Sequence, residues 1–143
     1  MGKERGTSLE ALRMRYRGAV TYTSGDSAAL NAEILALMRQ GRKTATCAAW
    51  ETFGPDGETL PEPGRVDIAL RWGGKPALAV RTLRVERVRF CDMDAAMIPP
   101  QGEFRDLAHW RAGYQAYFTR MGLFHPEMDL MVETFEVVED LEQ

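Results

Sequence analysis

The apolar segment at residues 77–90 carries the pattern that most constrains the fold of this chain. Its apolar side chains lie at even positions, then odd positions, then even positions again: Leu78, Val80, Leu83, Val85, Val88 and Phe90. Because successive side chains of a strand point to opposite faces, one continuous strand can follow these changes only through bulges or bends. Such irregularities curl a sheet, so the segment predicts a small curled antiparallel sheet of the β-barrel type.

The neighbouring segments predict the partners of this strand. Residues 65–72 alternate polar and apolar side chains, which predicts a strand with one buried face that includes Trp72. Gly73-Gly74 follows and predicts a tight hairpin turn. Residues 130–138 form the closing predicted strand, in which Glu133 interrupts an apolar run. Glu133 is interpreted either as an outward rim residue or as a partly buried carboxylate.

Three helices are predicted from apolar spacing and capping residues. A short one spans residues 8–17, a second spans 26–40 with Asp26 as N-cap and Gly41 just beyond its end, and the clearest spans 106–121. A strand is expected at residues 44–53, followed by a surface loop rich in proline and glycine. This order of helices and strands indicates an α+β domain.

Composition limits the class of protein. A chain of 143 residues is expected to form one domain, and no apolar run reaches membrane-spanning length. The polar start at residues 1–6 lacks a signal core, so the cytoplasm is the expected location. Two cysteines, Cys47 and Cys91, are expected to be buried thiols, and His109 and His125 are too sparse for a zinc site. We therefore expect neither a metal nor a cofactor.

Charge is distributed unevenly along the chain. The formal net charge of −3 argues against a protein that coats nucleic acid through bulk electrostatics. Basic residues crowd residues 65–89, however, and acidic residues dominate residues 127–142. The basic segment is interpreted either as a local basic face or as the solvent-facing sides of amphipathic strands.

The segment from Gly41 to Thr46 is the strongest candidate for function. Lys43 and Thr46 lie three residues apart at a predicted helix-to-strand corner, where Lys43 can turn back over the strand face shared by Thr46 and Trp50. Together a lysine and a hydroxyl can bind an anion or form a nucleophile. The alternative is an exposed lysine, a strand threonine and a core tryptophan. A P-loop is excluded because Arg42 precedes the lysine and a helix leads into the segment.

Gly41-Arg42-Lys43-Thr44-Ala45-Thr46 matches the G-x-K-x-x-[ST] motif, and the chain resembles the bacterial stand-alone proteins of the ASCH domain family, a branch of the PUA-like superfamily. Further segments agree with these proteins in order and spacing: Trp50, Leu60-Pro61-x-Pro63-Gly64, residues 80–90, Leu107-Ala108-His109-Trp110-Arg111, Tyr117-Phe118 and Val132-Glu133-x-Phe135. The resemblance covers residues 25–138. It leaves residues 1–24 as an N-terminal extension, with a possible short helix, and residues 139–143 as an acidic tail.

The resemblance implies a PUA-like β-barrel, flanked by helices, with a cleft for RNA or a nucleoside. It also implies an amidohydrolase that acts on acetylated cytidine or similar nucleosides, in which Lys43 is the base, Thr46 the nucleophile and Glu103 the assisting glutamate. Relatives usually carry an acidic, glycine-rich loop at this point, and Glu103 is the only glutamate in the corresponding residues 98–104. Residues expected to contact the ligand are Gly41, Arg42, Trp50 and Arg84. The alternatives are a non-catalytic RNA-binding module and a metal-assisted ribonuclease, and no oligomeric state is assigned.

Overall fold

The computed structural model describes residues 8–142, which form a mixed α+β domain as the sequence predicts. The helices are α1 (Leu9–Arg15), α2 (Ala28–Arg39) and α3 (Leu107–Arg120). The strands are β1 (Thr21–Tyr22), β2 (Ala45–Ala49), β3 (Val66–Leu70), β4 (Pro76–Arg89) and β5 (Asp129–Asp140). Short 3₁₀ turns occupy Trp50–Thr52, Phe90–Asp92, Ala95–Met97 and Pro99–Gln101. Residues 1–7 of the expected N-terminal extension and residue 143 of the expected acidic tail lie outside the described residues.

The five strands form one sheet in the order β1-β3-β4-β5-β2. The β1–β3 pair is parallel, and the other neighbouring pairs are antiparallel. Strands β1 and β2 are the two ends of this order, and no ladder joins them within residues 8–142. The described residues therefore form an open five-stranded sheet, and closure into a barrel stays a prediction.

The predicted irregularity of β4 between Val80 and Val85 is confirmed, but the pairing with β5 continues without a further shift from Arg84 to Arg89. The β4–β5 register shifts between Ala79 and Val80 and again between Thr82 and Arg84. Leu83 is the extra residue at the second shift, and it is exposed although its apolar character predicted a buried position. The bulge turns this one leucine outward and restores the pairing beyond it.

Strand β3 is buried on both faces, so the prediction of a single buried face is wrong. Ile68 packs in a cluster with Leu12 of α1, whereas Ala69 packs in a cluster with Leu35 of α2. Helices therefore cover both sides of this part of the sheet. Trp72, which was expected on the buried face, lies beyond the strand and is 49% exposed.

The structure confirms one predicted helix cap and shifts two other predicted element ends. Ser8 caps α1 as predicted, but Ser27 rather than Asp26 caps α2, because its side chain accepts the Leu30 N–H at 3.1 Å. The strand expected at residues 44–53 ends at Ala49, where a 3₁₀ turn begins. Trp50 therefore lies just beyond the strand and does not continue it.

The acidic and basic segments pair with each other in the fold. Because β4 and β5 are antiparallel neighbours, ion pairs cross between them. They are Arg81–Glu136 and Arg87–Asp129, and Arg89 pairs with Glu127 just before β5. Acidic residues near the end of the chain also form ion pairs with basic residues of the helices, as in Arg15–Glu139 and Arg39–Asp140. The basic segment thus lies on solvent-facing strand sides and is largely neutralised.

The two cysteines differ in their exposure. Cys47 is buried as expected, whereas Cys91 is exposed, contrary to expectation. Among residues 8–142, none of the helices combines the length and the apolar character needed to cross a bilayer.

Candidate functional site

Lys43 occupies a buried position at the corner between α2 and β2. The chain reverses beyond α2 at Gly41, whose φ of 76° is easily adopted only by glycine. The backbone N–H groups of Arg42 and Lys43 both donate to the Leu37 carbonyl, at 2.9 and 3.1 Å. Lys43 is only 3% exposed, so the alternative of an exposed turn lysine is wrong.

The Lys43 ammonium group is held by the loop that precedes α3. Its Nζ donates to the Gln101 carbonyl at 3.0 Å and also to the Glu103 carboxylate, whose side chain is 12% exposed. A buried ammonium group requires such partners, because an unpaired buried charge carries a large desolvation cost. The structure thus brings Lys43 and Glu103 together.

Gln101 connects this ion pair to the hydrophobic core. Its fully buried side chain accepts hydrogen bonds from Trp110 Nε1 at 2.9 Å and from Cys47 Sγ at 3.3 Å. Burial raises the pKa of Cys47 to about 12, so its thiol is protonated at neutral pH and is no nucleophile. Pro100 adds a backbone contact, since its carbonyl accepts the Thr44 N–H at 2.7 Å.

Thr46 lies on β2 with its side chain on the less buried face. Ala45, Cys47 and Ala49 are buried on the other face. Thr46 pairs in register with Glu133 of β5, which places the two side chains on the same side of the sheet. Within residues 8–142 the Thr46 hydroxyl has no hydrogen-bond partner, so no hydrogen bond joins it to Lys43.

Glu133 is a partly buried carboxylate, which decides between the two interpretations of this residue. Its Oε2 accepts a hydrogen bond from Thr82 Oγ1 at 2.7 Å. Burial raises the pKa of Glu133 above its ordinary value of 4.5, and the Asp67 carboxylate adds to this effect. The Thr82 hydrogen bond and the charges of Arg65 and Lys43 act in the opposite direction without cancelling it.

Glu133 belongs to a polar cluster that also contains Tyr22, Arg65, Asp67 and Thr82. The Arg65 guanidinium binds the Asp67 carboxylate through Nε at 2.8 Å and Nη2 at 3.0 Å. Asp67 also accepts the Val20 N–H at 2.9 Å. Burial raises the pKa of Tyr22, and the carboxylates of Glu133 and Asp67 raise it further.

Sequence reasoning missed four members of this polar cluster: Tyr22, Arg65, Asp67 and Thr82. Their pairing depends on β1 and on the register of β4, neither of which local patterns reveal. The one usable signal was Asp67, a carboxylate inside a strand whose neighbours are apolar.

Two of the predicted ligand-contacting residues, Trp50 and Arg84, contact side chains of β4. The Arg87 guanidinium lies over the Trp50 ring, 4.6 Å from its centroid, which is a cation–π contact. Arg84 is exposed and pairs with Glu86 at 3.4 Å. Arg42 and Gly41 are exposed at the corner itself.

A groove of about 370 Å³ opens beside the corner. It is lined by Gly41, Lys43 and Thr44 on one side and by residues of β5 such as Phe135 and Glu136 on the other. Its volume falls in the range of small-molecule sites. Thr46 and Glu103 are not among its lining residues. Residues 8–142 contain no group of three or more His, Cys, Asp or Glu side chains suited to a metal ion.

Gly102 provides a test of how tightly the loop packs on the corner. Its φ is +80°, and an added Cβ would lie 2.9 Å from the Arg42 carbonyl oxygen and 3.0 Å from Lys43 Cβ. We expect Gly102→Ala to lower the free energy of unfolding by about 2 to 4 kcal/mol, from backbone strain and steric conflict together.

The matched control is Gly64→Ala, since Gly64 also has a positive φ, of +92°, but nothing lies within 4 Å of an added Cβ. Urea denaturation should therefore show a smaller decrease in the free energy of unfolding for Gly64→Ala than for Gly102→Ala. Equal losses for the two variants would contradict the tight packing of the loop.

The raised pKa of Glu133 predicts how stability depends on pH. Since the folded state holds this proton more tightly than the unfolded state, Glu133 favours folding below its ordinary pKa of 4.5, and this contribution is lost as pH rises through the folded-state value. Glu133→Gln keeps an acceptor for Thr82 and removes the charge. We therefore expect the variant to be more stable than the wild type at pH 7, with the difference vanishing below pH 4.5.

Thermal or urea denaturation across the pH range measures this difference. Glu136→Gln serves as the control, because Glu136 lies on the same strand with a 48% exposed side chain. A Glu133→Gln variant that is less stable than the wild type at neutral pH would contradict the prediction.

Comparison with known proteins gives the family of this chain. The model of the ASCH domain family matches residues 20–139. A search of curated proteins found no significant match.

Solved structures with the same fold include an ASCH domain from Lactobacillus crispatus JV V101, with a TM-score of 0.78 and 22% identity over 96% of this chain and 89% of that chain. A protein from Enterococcus faecalis V583 is similar with a TM-score of 0.73 and 28% identity, over 84% of this chain and 80% of that chain. Since the family model covers most of the chain, the protein belongs to the ASCH domain family, whose PUA-like fold is associated with RNA binding.

Proposed function

We propose that this protein binds a nucleoside, free or within RNA, and hydrolyses an acyl amide on its base, as in acetylated cytidine. The observation that carries this proposal is the buried contact between Lys43 and Glu103. The family resemblance names these two residues as the base and the assisting glutamate. Their contact supports the assignment even though the loop around Glu103 differs from that of relatives.

The ion pair offers a way for a lysine to act as a base. A protonated ammonium group has no lone pair, so Lys43 must first lose a proton. Transfer of one proton to Glu103 along their hydrogen bond leaves Lys43 as a neutral amine.

The reaction then follows the usual course of acyl transfer. Thr46 Oγ attacks the acyl carbon while its proton passes to Lys43. The bond between the acyl carbon and the base nitrogen breaks, and the Lys43–Glu103 pair returns a proton to that nitrogen. Water then attacks the acyl ester on Thr46, which releases a carboxylic acid and restores the hydroxyl group. The sum is one amide and one water converted to one amine and one acid.

Two features of the site fit this course. The groove beside Gly41, Lys43 and Thr44 has a volume suited to a nucleoside. The hydroxyl of Thr46 is free of protein partners within residues 8–142, so it does not have to break a hydrogen bond before it attacks. The acyl group would extend from this groove past Lys43 toward Thr46.

Replacement of the nucleophile gives the decisive test. We expect the wild type to release acetate from N4-acetylcytidine and Thr46→Val to lose about 10³-fold or more of kcat, since removal of a nucleophile removes the covalent route. Thr119→Val is the matched control, because Thr119 is exposed on α3. Mass spectrometry of the nucleoside and of the acyl-enzyme provides the measurement.

The acid–base pair is tested in the same assay with Glu103→Gln, which keeps the size of the side chain. This variant should also lose turnover, whereas Thr119→Val should retain it. The proposed reaction would be contradicted if Thr46→Val turned over substrate as fast as the wild type. It would also be contradicted if the wild type released no acetate at high enzyme concentration.

A second candidate function is RNA binding without chemistry. The contact of Arg87 with Trp50 favours it, because an arginine paired with an aromatic ring resembles the platforms on which proteins stack bases. Each arginine of β4, Arg87 included, has an acidic partner, which disfavours a broad electrostatic surface.

For this candidate, Trp50→Ala should weaken binding of single-stranded RNA about tenfold, as loss of one stacking contact does. Arg87→Ala should also lower the salt dependence of binding, whereas Arg13→Ala, at an exposed position of α1, should not. Fluorescence anisotropy at several salt concentrations measures the affinity for RNA and its salt dependence. Unchanged affinity in Trp50→Ala would contradict this function, and Mg²⁺-dependent loss of the RNA would indicate a ribonuclease.

A further inference from the structure

Glu133 is the one carboxylate of the polar cluster with an oxygen left free. Its Oε2 is held by Thr82, while its Oε1 has no hydrogen-bond or ion-pair partner within residues 8–142. In that part of the chain every fully buried side-chain nitrogen or oxygen has a partner, so Oε1 is open to solvent or to a ligand. Thr82 fixes the carboxylate and leaves one acceptor available.

The position of this acceptor relative to Thr46 is set by the sheet. Thr46 and Glu133 are directly opposite each other in the β2–β5 ladder. Side chains paired in this way lie on the same face with their Cβ atoms about 4.5 to 5.5 Å apart. A ligand group that donates a hydrogen bond to Glu133 Oε1 would therefore lie only a few bonds from the ligand atom that Thr46 attacks.

The surroundings favour recognition of a ligand over a purely structural role. Asp67 is fully engaged by Arg65 and by the Val20 N–H, which accounts for its burial. By contrast, the Tyr22 hydroxyl and the Thr46 hydroxyl lack partners within residues 8–142, as does Glu133 Oε1. Three free polar groups are thus gathered near one face of the sheet.

We infer that Glu133 is a specificity residue whose free oxygen accepts a hydrogen bond from the exocyclic N–H group of the substrate base, on the nitrogen that carries the acyl group attacked by Thr46. This inference rests on the proposed function and deepens it. It restricts the substrate to bases that carry an exocyclic amino group, as cytosine does.

Cytosine and uracil differ in the exocyclic group at position 4 of the ring. Cytosine presents an N4 donor there, and uracil presents the O4 acceptor. A carboxylate oxygen attracts the donor and repels the acceptor, so the wild type should prefer cytidine to uridine. Glutamine at position 133 can turn its amide to offer either a donor or an acceptor, which removes the preference.

The experiment measures binding of unmodified cytidine and uridine by calorimetry or NMR titration, so that no hydrolysis is needed. We expect the wild type to bind cytidine at least about tenfold more tightly than uridine, the difference that one hydrogen bond to a charged group supports. Glu133→Gln should bring the two affinities within about twofold of each other. Thr82→Val, which frees the carboxylate to turn, should reduce the preference.

The matched control is Glu136→Gln, the same substitution three residues away on β5, which should keep the wild-type preference. Equal affinities in the wild type, or an unchanged preference in Glu133→Gln, would overturn the role of Glu133 while the hydrolase proposal stands. Absence of nucleoside binding by the wild type at millimolar concentration would overturn the proposed nucleoside site and this inference with it. A preference for cytidine without hydrolysis of N4-acetylcytidine would support Glu133 and contradict the reaction alone.

Discussion

The buried ammonium group of Lys43 is the charge around which the rest of the site is arranged. A lysine that is 3% exposed must be paired, and here the Gln101 carbonyl and the Glu103 carboxylate supply the partners. Loss of either partner would leave an expensive charge in the interior. The loop that precedes α3 is therefore held against the corner between α2 and β2 by electrostatics as well as by packing.

This arrangement links the site to the core through one residue. The backbone carbonyl of Gln101 faces Lys43, while its side chain accepts hydrogen bonds from Trp110 and Cys47 in the largest hydrophobic cluster. Trp110 also stacks on Phe90, with the ring centroids 5.0 Å apart. The position of Glu103 is thus fixed, through Gln101, by Cys47 and Trp110. Because Gln101 is anchored in the core, the loop that carries Glu103 is held in place at the corner.

Much of the fold was predictable, and the parts that were not depend on long-range pairing. The hairpin at Gly73-Gly74, helix α3 and the bulge of β4 at Leu83 follow from local signals and were predicted. Strand β1 is two residues long and exists only through its pairing with β3, so no local pattern reveals it. The burial of both faces of β3 likewise depends on where α1 and α2 pack.

In the candidate site, too, local signals predicted some residues, whereas others depend on long-range pairing. The motif identified Lys43, and the resemblance proposed Glu103 as its partner, two residues that the structure joins. The sequence flagged Glu133 without deciding its environment, because burial depends on neighbours from four other segments. Tyr22, Asp67 and Thr82 were missed, since they become neighbours of Glu133 only once β1, β3, β4 and β5 are aligned.

The bulge of β4 at Leu83 explains why Glu133 keeps a free oxygen. Thr82 pairs with Phe135, and uninterrupted pairing would then set Arg84 opposite Glu133. The extra residue Leu83 shifts the register, so Val85 lies opposite Glu133 and Arg84 lies opposite Thr134. An arginine directly across the strand would bind the carboxylate and neutralise it. The same change of parity that announces a curled sheet in the sequence therefore keeps a basic partner away from Glu133 and leaves its carboxylate able to receive a ligand.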